Sequence, residues 1–77
     1  MSAYFLYHTL GCHLCEDAEQ LLQDLPHVDY QKVDIADDDA LVERFGIRIP
    51  VLCHKLSQTT LDWPFDKADV EAFIARF

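Results

Sequence analysis

The sequence predicts an α/β fold in which a four-stranded mixed sheet carries helices on both faces, in the order β-α-β-α-β-β-α. Short apolar runs of strand length alternate along the chain with segments whose apolar residues recur at helical spacing. The chain has 77 residues, of which 51% are hydrophobic. That length supports one small core, so we expect a single domain over residues 1–77.

The first half of the chain predicts two strands separated by an amphipathic helix. An apolar and aromatic run over residues 3–8 has the length of a buried strand. From Cys12 onward the apolar residues form one helical stripe, and Pro26 ends the helix. The residues of this stripe are Leu14, Cys15, Ala18, Leu21, Leu22 and Leu25. A second strand is predicted over residues 28–35.

The second half predicts a short helix, two strands and a final helix. The aspartates at 37–39 offer an N-cap to the short helix, whose inner face is expected to consist of Ala40, Leu41, Val42 and Phe45. A third strand begins near Pro50, because proline is tolerated at the first residue of a strand. Residues 58–62 form the fourth strand. Asp66 caps the last helix.

The spacing of these elements predicts how the strands are connected. Each of the first two strand–helix–strand units is long enough for a right-handed crossover, so we expect the sheet to begin mostly parallel. The last two strands are close enough in sequence to form a hairpin. In the final helix, Phe65 is placed to pack against Val70 as a hydrophobic staple.

The charge balance argues against several classes of partner. Fourteen Asp and Glu residues oppose six Lys and Arg residues, which gives a net charge of −8. Nucleic acids and anionic lipid surfaces both require clustered cations, so we expect neither as a partner. The negative charge either keeps a small protein soluble or steers a basic partner toward it. Residues 1–8 lack the basic start of a targeting segment, and we expect a cytoplasmic location.

The chemistry of the chain is concentrated in Cys12-His13-Leu14-Cys15, where the first strand meets the first helix. Residues three apart at the start of a helix lie on one face, near enough for a disulfide. The free N–H groups of the first turn and the helix dipole favour a thiolate at Cys12. We therefore predict a redox pair in which Cys12 attacks a partner disulfide and Cys15 resolves the mixed disulfide.

Neighbouring charges act on this pair in opposite directions. Glu16 and Asp17 oppose a thiolate, and no Lys or Arg precedes Lys32 in the sequence. His13 either favours the thiolate when protonated or is simply an exposed polar residue. We expect Cys12 to be activated only moderately.

With Ile49-Pro50 added to the cysteine pair, the chain resembles the thioredoxin and glutaredoxin superfamily, and in particular the small bacterial glutaredoxin-like proteins. Cys12, Cys15 and Pro50 match the superfamily's Cys-x-x-Cys motif and the cis-proline before a later strand. The resemblance implies a thioredoxin-like fold and thiol–disulfide oxidoreductase activity on protein or glutathione mixed disulfides. It also implies that the Ile49 backbone hydrogen-bonds the incoming substrate.

The same resemblance implies glutathione as a co-substrate rather than a tightly bound cofactor, with a reductase or thiol donor supplying electrons. Glutaredoxins commonly carry a Gly-Gly pair and an Asp after the last strand, where the γ-glutamyl end of glutathione is held. Residues 60–65 of this chain read TLDWPF, without glycine. Trp63 either forms an apolar lip for a protein partner or closes the core over the last helix.

A second hypothesis is a metal-binding protein. Cys12 and Cys15 could hold zinc together with His8, His13 or Cys53, or two chains could share an iron–sulfur cluster. Structural zinc needs four ligands, usually from two close pairs, and this sequence has one close pair. We therefore expect no metal site. A lone cysteine in a strand is usually a small buried hydrophobe, which is the role expected for Cys53.

A third hypothesis keeps the fold and removes the catalysis. A thioredoxin-like adaptor would bind a partner through the surface around Pro50 and Trp63. The intact cysteine pair argues against this hypothesis, because an adaptor would not need both thiols.

Overall fold

The computed structural model describes residues 2–77, which form one four-stranded sheet and three α-helices. The strands are β1 (Tyr4–His8), β2 (Tyr30–Asp34), β3 (Val51–His54) and β4 (Thr60–Asp62). The helices are α1 (His13–Gln23), α2 (Asp39–Phe45) and α3 (Lys67–Ile74), with a short 3₁₀ helix at Ile35–Asp37. The predicted element order β-α-β-α-β-β-α is confirmed, and the 3₁₀ helix is the one addition to it.

The sheet is mixed, with the strand order β2-β1-β3-β4. β1 and β2 are parallel, whereas β3 runs antiparallel to both β1 and β4. The prediction of two parallel crossovers is therefore right for α1 and wrong for α2. The connection from Ile35 to Pro50, which contains the seven-residue α2, does not carry the chain back to the other end of the sheet. β3 consequently starts at the end of the sheet where β2 stops.

Because β3 starts at the end of the sheet where β1 and β2 stop, four loops lie at that end, which we call the upper end. His8 at the end of β1 pairs with Asp34 at the end of β2. Val51 at the start of β3 pairs with Tyr7 on one side and with Asp62 at the end of β4 on the other. The segments that follow β1, β2 and β4, and the segment that precedes β3, therefore all lie at the upper end.

Each face of the sheet is covered by its own apolar cluster. On one face, Leu22 of α1 and Phe73 of α3 belong to the same buried cluster as Leu6 of β1. On the other face, Phe45 of α2 shares a cluster with Tyr7, and their rings stack with centroids 4.5 Å apart. Successive side chains of a strand point to opposite faces, which explains why Leu6 and Tyr7 separate. The predicted placement of helices on both faces is confirmed.

The cap of α3 also agrees with the sequence pattern. Asp69 donates its backbone N–H to Asp66 Oδ1 at 2.8 Å, and Asp66 donates its own N–H to Asp69 Oδ2 at 3.0 Å. Phe65 and Val70, the predicted staple, are both buried in the cluster formed by α1 and α3. This reciprocal capping fixes the point at which the chain leaves β4 and enters α3.

Three residues that the sequence pattern predicts on inner helix faces are exposed instead, namely Leu14, Ala40 and Val42. In α1, Leu14 shares a side of the helix with the buried Ala18, four residues later, but it lies in the first turn, at the upper end of the sheet, and is exposed there. In α2 the face toward the sheet holds Leu41 and Phe45, which are four residues apart, so Ala40 and Val42 point outward.

No helix within residues 2–77 is long and apolar enough to cross a membrane.

Candidate active site

Cys12 and Cys15 lie where β1 gives way to α1, and a disulfide joins them in the structure. Their Cα atoms are 5.2 Å apart, within the usual range for a disulfide. Gly11 has a φ of +76°, a backbone conformation that glycine adopts at little cost, and it forms the turn that precedes the pair. The predicted location of the pair at this junction is confirmed.

Cys12 is the N-cap of α1. Its Sγ accepts a hydrogen bond from the backbone N–H of Cys15 at 3.2 Å, and its carbonyl accepts one from the N–H of Glu16 at 3.2 Å. The first turn of a helix has N–H groups without helical partners and carries the positive end of the dipole. A sulfur held at this position is stabilised in its negative form, which favours a thiolate at Cys12 once the disulfide is reduced.

The two sulfurs of the pair differ in accessibility. Cys12 is half-buried, whereas Cys15 is 1% exposed and lies on the buried face of α1. A partner disulfide can therefore reach Cys12 and not Cys15. The predicted roles need an accessible sulfur at Cys12, which attacks first, and a protected sulfur at Cys15, which resolves the mixed disulfide.

Cys53 lies apart from the pair, in the middle of β3. It is fully buried in the cluster that contains Phe45, and it pairs with Phe5 across the sheet. Burial raises the pKa of the Cys53 thiol above its ordinary value, which disfavours the reactive thiolate. The prediction of a small buried hydrophobe is confirmed.

The charged neighbours of the pair in α1 are His13 and two carboxylates, and moderate activation of Cys12 stays a prediction. His13 is exposed, with its Nδ1 3.8 Å from Glu16 Oε2 and its Nε2 3.9 Å from Asp17 Oδ2. A proton on His13 would therefore be balanced by two carboxylates. Its predicted contact with substrate stays a prediction.

Pro50 lies beside the end of β1. Tyr7 and Val51 are paired across β1 and β3, so the residue before Val51 lies next to the segment that leads to Cys12. The Ile49–Pro50 peptide bond is cis, and Pro50 is buried. The N–H of Ile49 donates to the carbonyl of Phe45 at 3.0 Å, so this N–H is already used within the protein. The predicted contact of the Ile49 backbone with substrate stays a prediction.

An ion pair beside Pro50 is not predicted by the sequence. Arg48 donates from Nε to Asp62 Oδ2 and from Nη2 to Asp62 Oδ1, both at 2.8 Å, and from Nη2 to Thr60 Oγ1 at 3.1 Å. The guanidinium also lies 5.0 Å from the centre of the Phe45 ring. Arg48 holds the pKa of Asp62 below its ordinary value. The pair fastens the segment before Pro50 to β4, although 14 residues separate its members.

Trp63 follows β4 at the same end of the sheet. Its backbone N–H donates to the Pro50 carbonyl at 3.2 Å, and its ring meets that of Phe65 edge-on at 5.0 Å. The side chain packs against the cluster under α3 and is partly exposed, so one part closes the core and another part can face a partner. The Trp63–Pro64 bond is also cis, a feature for which the sequence offered no signal.

The residues named for a metal site are not grouped. Within residues 2–77 no three His, Cys, Asp or Glu side chains are placed to hold a metal ion together. Cys53 lies in the apolar cluster on one face of the sheet. The buried side of α1, which includes Cys15, packs against the cluster on the other face. The cysteine pair thus has no third ligand within this part of the chain.

A mixed sheet of this order, with a cysteine pair capping the helix that follows its central strand, is the architecture of thioredoxin-like proteins. The family model of the Glutaredoxin-like domain (DUF836) matches residues 4–75 of the sequence. The chain therefore belongs to this glutaredoxin-like family.

Solved structures agree with this assignment. The crystal structure of the Northeast Structural Genomics target protein XcR50 from X. campestris is 36% identical, with a TM-score of 0.88 over 97% of this chain and 99% of that one. The solution structure of XcR50, also 36% identical, gives a TM-score of 0.84 over 97% and 95%. Protein Ne2328 from Nitrosomonas europaea, at 24% identity, shares the fold with a TM-score of 0.76 over 91% and 87%. No curated protein matches the sequence.

Proposed function

We propose that this protein is a thiol–disulfide oxidoreductase that uses Cys12 and Cys15 to reduce mixed disulfides of proteins or of glutathione. The observation that carries the proposal is the asymmetry of the pair. The accessible sulfur of Cys12 is held at the N-terminus of α1, and the buried sulfur of Cys15 is already bonded to it. This asymmetry supports Cys12 as the attacking group and Cys15 as the resolving group.

The reaction proceeds in two exchanges. The Cys12 thiolate attacks one sulfur of the substrate disulfide, forms a mixed disulfide and releases the other substrate sulfur as a thiolate. Cys15 loses its proton to solvent and attacks the Cys12 sulfur, which forms the Cys12–Cys15 disulfide and releases the second substrate thiolate. The substrate gains two electrons from the pair, and its two thiolates take up protons according to their pKa values.

Partners and location follow from this chemistry. Ile49, Pro50, His13 and Trp63 form the proposed substrate surface, and glutathione serves as a co-substrate rather than a bound cofactor. A thiol donor or a reductase must reduce the Cys12–Cys15 disulfide after each turnover. We place the protein in the cytoplasm, where such donors keep thiols reduced.

A redox titration tests the proposal. The purified, metal-free protein is equilibrated in dithiol or glutathione buffers of known potential, quenched in acid and alkylated, and its free thiols are counted by mass. We expect one two-electron transition, mapped to Cys12 and Cys15, between about −270 and −200 mV. The Cys53→Ser variant should give the same transition.

Two outcomes of the titration would contradict the proposal. If Cys12 and Cys15 stay unpaired at every potential, or if only Cys53 changes its oxidation state, the oxidoreductase proposal is wrong.

A further inference from the structure

Three large apolar side chains are exposed at the upper end of the sheet, on three different segments, and two of them flank Cys12 in the sequence. Leu10, in the turn before Cys12, is 85% exposed, and Leu14, in the first turn of α1, is 48% exposed. Ile47, in the turn before β3, is fully exposed at 102%. We call these three residues the apolar rim. Single exposed apolar residues are common on proteins, but three at the same end as a reactive pair are a candidate contact surface.

The fold brings the apolar rim together at the upper end of the sheet. Leu10 follows β1, and Leu14 lies between the two cysteines. Ile47 precedes β3, whose first residue, Val51, pairs with Tyr7 near the end of β1. The exposed Leu56 lies in the turn between β3 and β4, at the other end of the sheet, and offers a matched control.

Carboxylates surround the same end of the molecule. Glu16 and Asp17 lie in α1 directly after the pair, and the aspartates at 37–39 follow the end of β2. The guanidinium of Arg48 already binds both carboxylate oxygens of Asp62. Arg44, in the last turn of α2, adds a positive charge, but the five carboxylates of these segments outnumber it, so an approaching substrate meets a mainly negative surface at this end.

We propose that the substrate disulfide belongs to a protein segment with apolar and basic residues beside its cysteines, in preference to glutathione disulfide. This inference rests on the oxidoreductase function proposed above and names its substrate class. Apolar side chains of the segment would cover the rim, and its Lys or Arg residues would be attracted by the carboxylates. Glutathione offers neither group, since each molecule carries two carboxylates, one ammonium and no large apolar side chain.

The test compares three disulfide probes as oxidants of the fully reduced protein, with rapid acid quench and mass analysis. Two are peptides of equal length that each close one disulfide, with Leu and Lys beside the cysteines in one and Ser and Glu in the other. The third is glutathione disulfide. We expect the Leu/Lys peptide to react about tenfold faster than either other probe. The advantage should shrink in high salt, which screens exposed charges.

Surface variants assign the effect to the residues that carry it. In the double variant Leu10→Ser, Ile47→Ser, we expect the rate ratio of Leu/Lys peptide to glutathione disulfide to fall about fivefold. Leu56→Ser should leave this ratio unchanged. Asp37→Asn should reduce the preference for the basic peptide, whereas Asp29→Asn, which removes one charge at the other end of the sheet, should not.

The failures of the two proposals can be told apart. Equal rates for the three probes, or a rim variant that behaves like Leu56→Ser, would overturn the inference and leave the oxidoreductase function standing. A reduced protein that none of the probes oxidises would overturn both.

Discussion

At the scale of single residues, burial gives the three cysteines different chemistry. Cys12 is partly open to solvent and bonded to a helical N–H, Cys15 is closed off beneath it, and Cys53 is fully buried in another cluster. Because thiolates are the reactive species, the helix favours reaction at Cys12, and the raised pKa of Cys53 suppresses reaction there.

Alkylation of the reduced native protein should follow this order. We expect iodoacetamide to modify Cys12 at least about tenfold faster than Cys53, because Cys12 combines access with thiolate character. Timed quenching and peptide mass mapping measure the two rates. In denaturant, where burial is lost, all three cysteines should react at similar rates. A Cys53 that is modified as fast as Cys12 in the native protein would contradict this explanation.

At the scale of elements, the Arg48–Asp62 pair joins the turn before β3 to the end of β4. The side chain of Arg48 lies between the Phe45 ring on one side and Asp62 and Thr60 on the other. It thus links α2, the segment that leads to Pro50, and the edge strand. Both partners are partly exposed, so solvent screening keeps the contribution of the pair small.

The pair also makes stability depend on pH in a defined direction. The pKa of Asp62 is lower in the folded protein than its ordinary value of 3.8, so the charged carboxylate favours the folded state. This contribution is present above about pH 4 and is lost as the pH falls through the lowered pKa. At pH 7, Asp62→Asn should reduce the free energy of unfolding by about 1 kcal/mol.

Urea unfolding at pH 7 and at pH 3 or below measures this effect. The difference between the wild type and Asp62→Asn should shrink at the lower pH, because the wild-type carboxyl is then increasingly protonated. Asp29→Asn, a matched change at an exposed aspartate, should alter stability little at either pH. A difference between wild type and Asp62→Asn that persists unchanged in acid would show that charge is not its source.

At the scale of the whole molecule, the path of the chain from β2 to β3 determines which segments meet at the upper end of the sheet. The connection that contains α2 stays at the upper end of the sheet, so β3 starts beside the end of β1. Pro50 and the cysteine pair therefore come to one end, and the hydrogen bond from Trp63 to Pro50 adds the segment after β4.

Much of this arrangement could be predicted from local sequence. Nearby residues determine the position of the cysteine pair, the cap at Asp66 and the part of the buried face of α1 formed by Cys15, Ala18 and Leu22. The direction of β3 could not be predicted, because the spacing between the second and third strands allows either direction.

The missed features depend on contacts between distant segments. The Arg48–Asp62 pair forms only after β3 and β4 are aligned, so neither residue carries a local signal. The exposure of Leu14 follows from where the sheet ends relative to α1. An apolar stripe defines a helix face, but it does not show which of its border residues the rest of the fold will cover.

The most direct test of the central claim traps the first exchange with a resolving-cysteine variant. Reduced Cys15→Ser is mixed with a peptide whose single cysteine is in a disulfide with a small, separate leaving thiol, and the product is analysed by intact mass and peptide mapping. We expect a stable mixed disulfide on Cys12, whereas the wild type should proceed to the Cys12–Cys15 disulfide and release the reduced peptide. If the adduct forms on Cys53, or if Cys12→Ser forms it equally well, Cys12 is not the attacking group and the proposed order of the two exchanges is wrong.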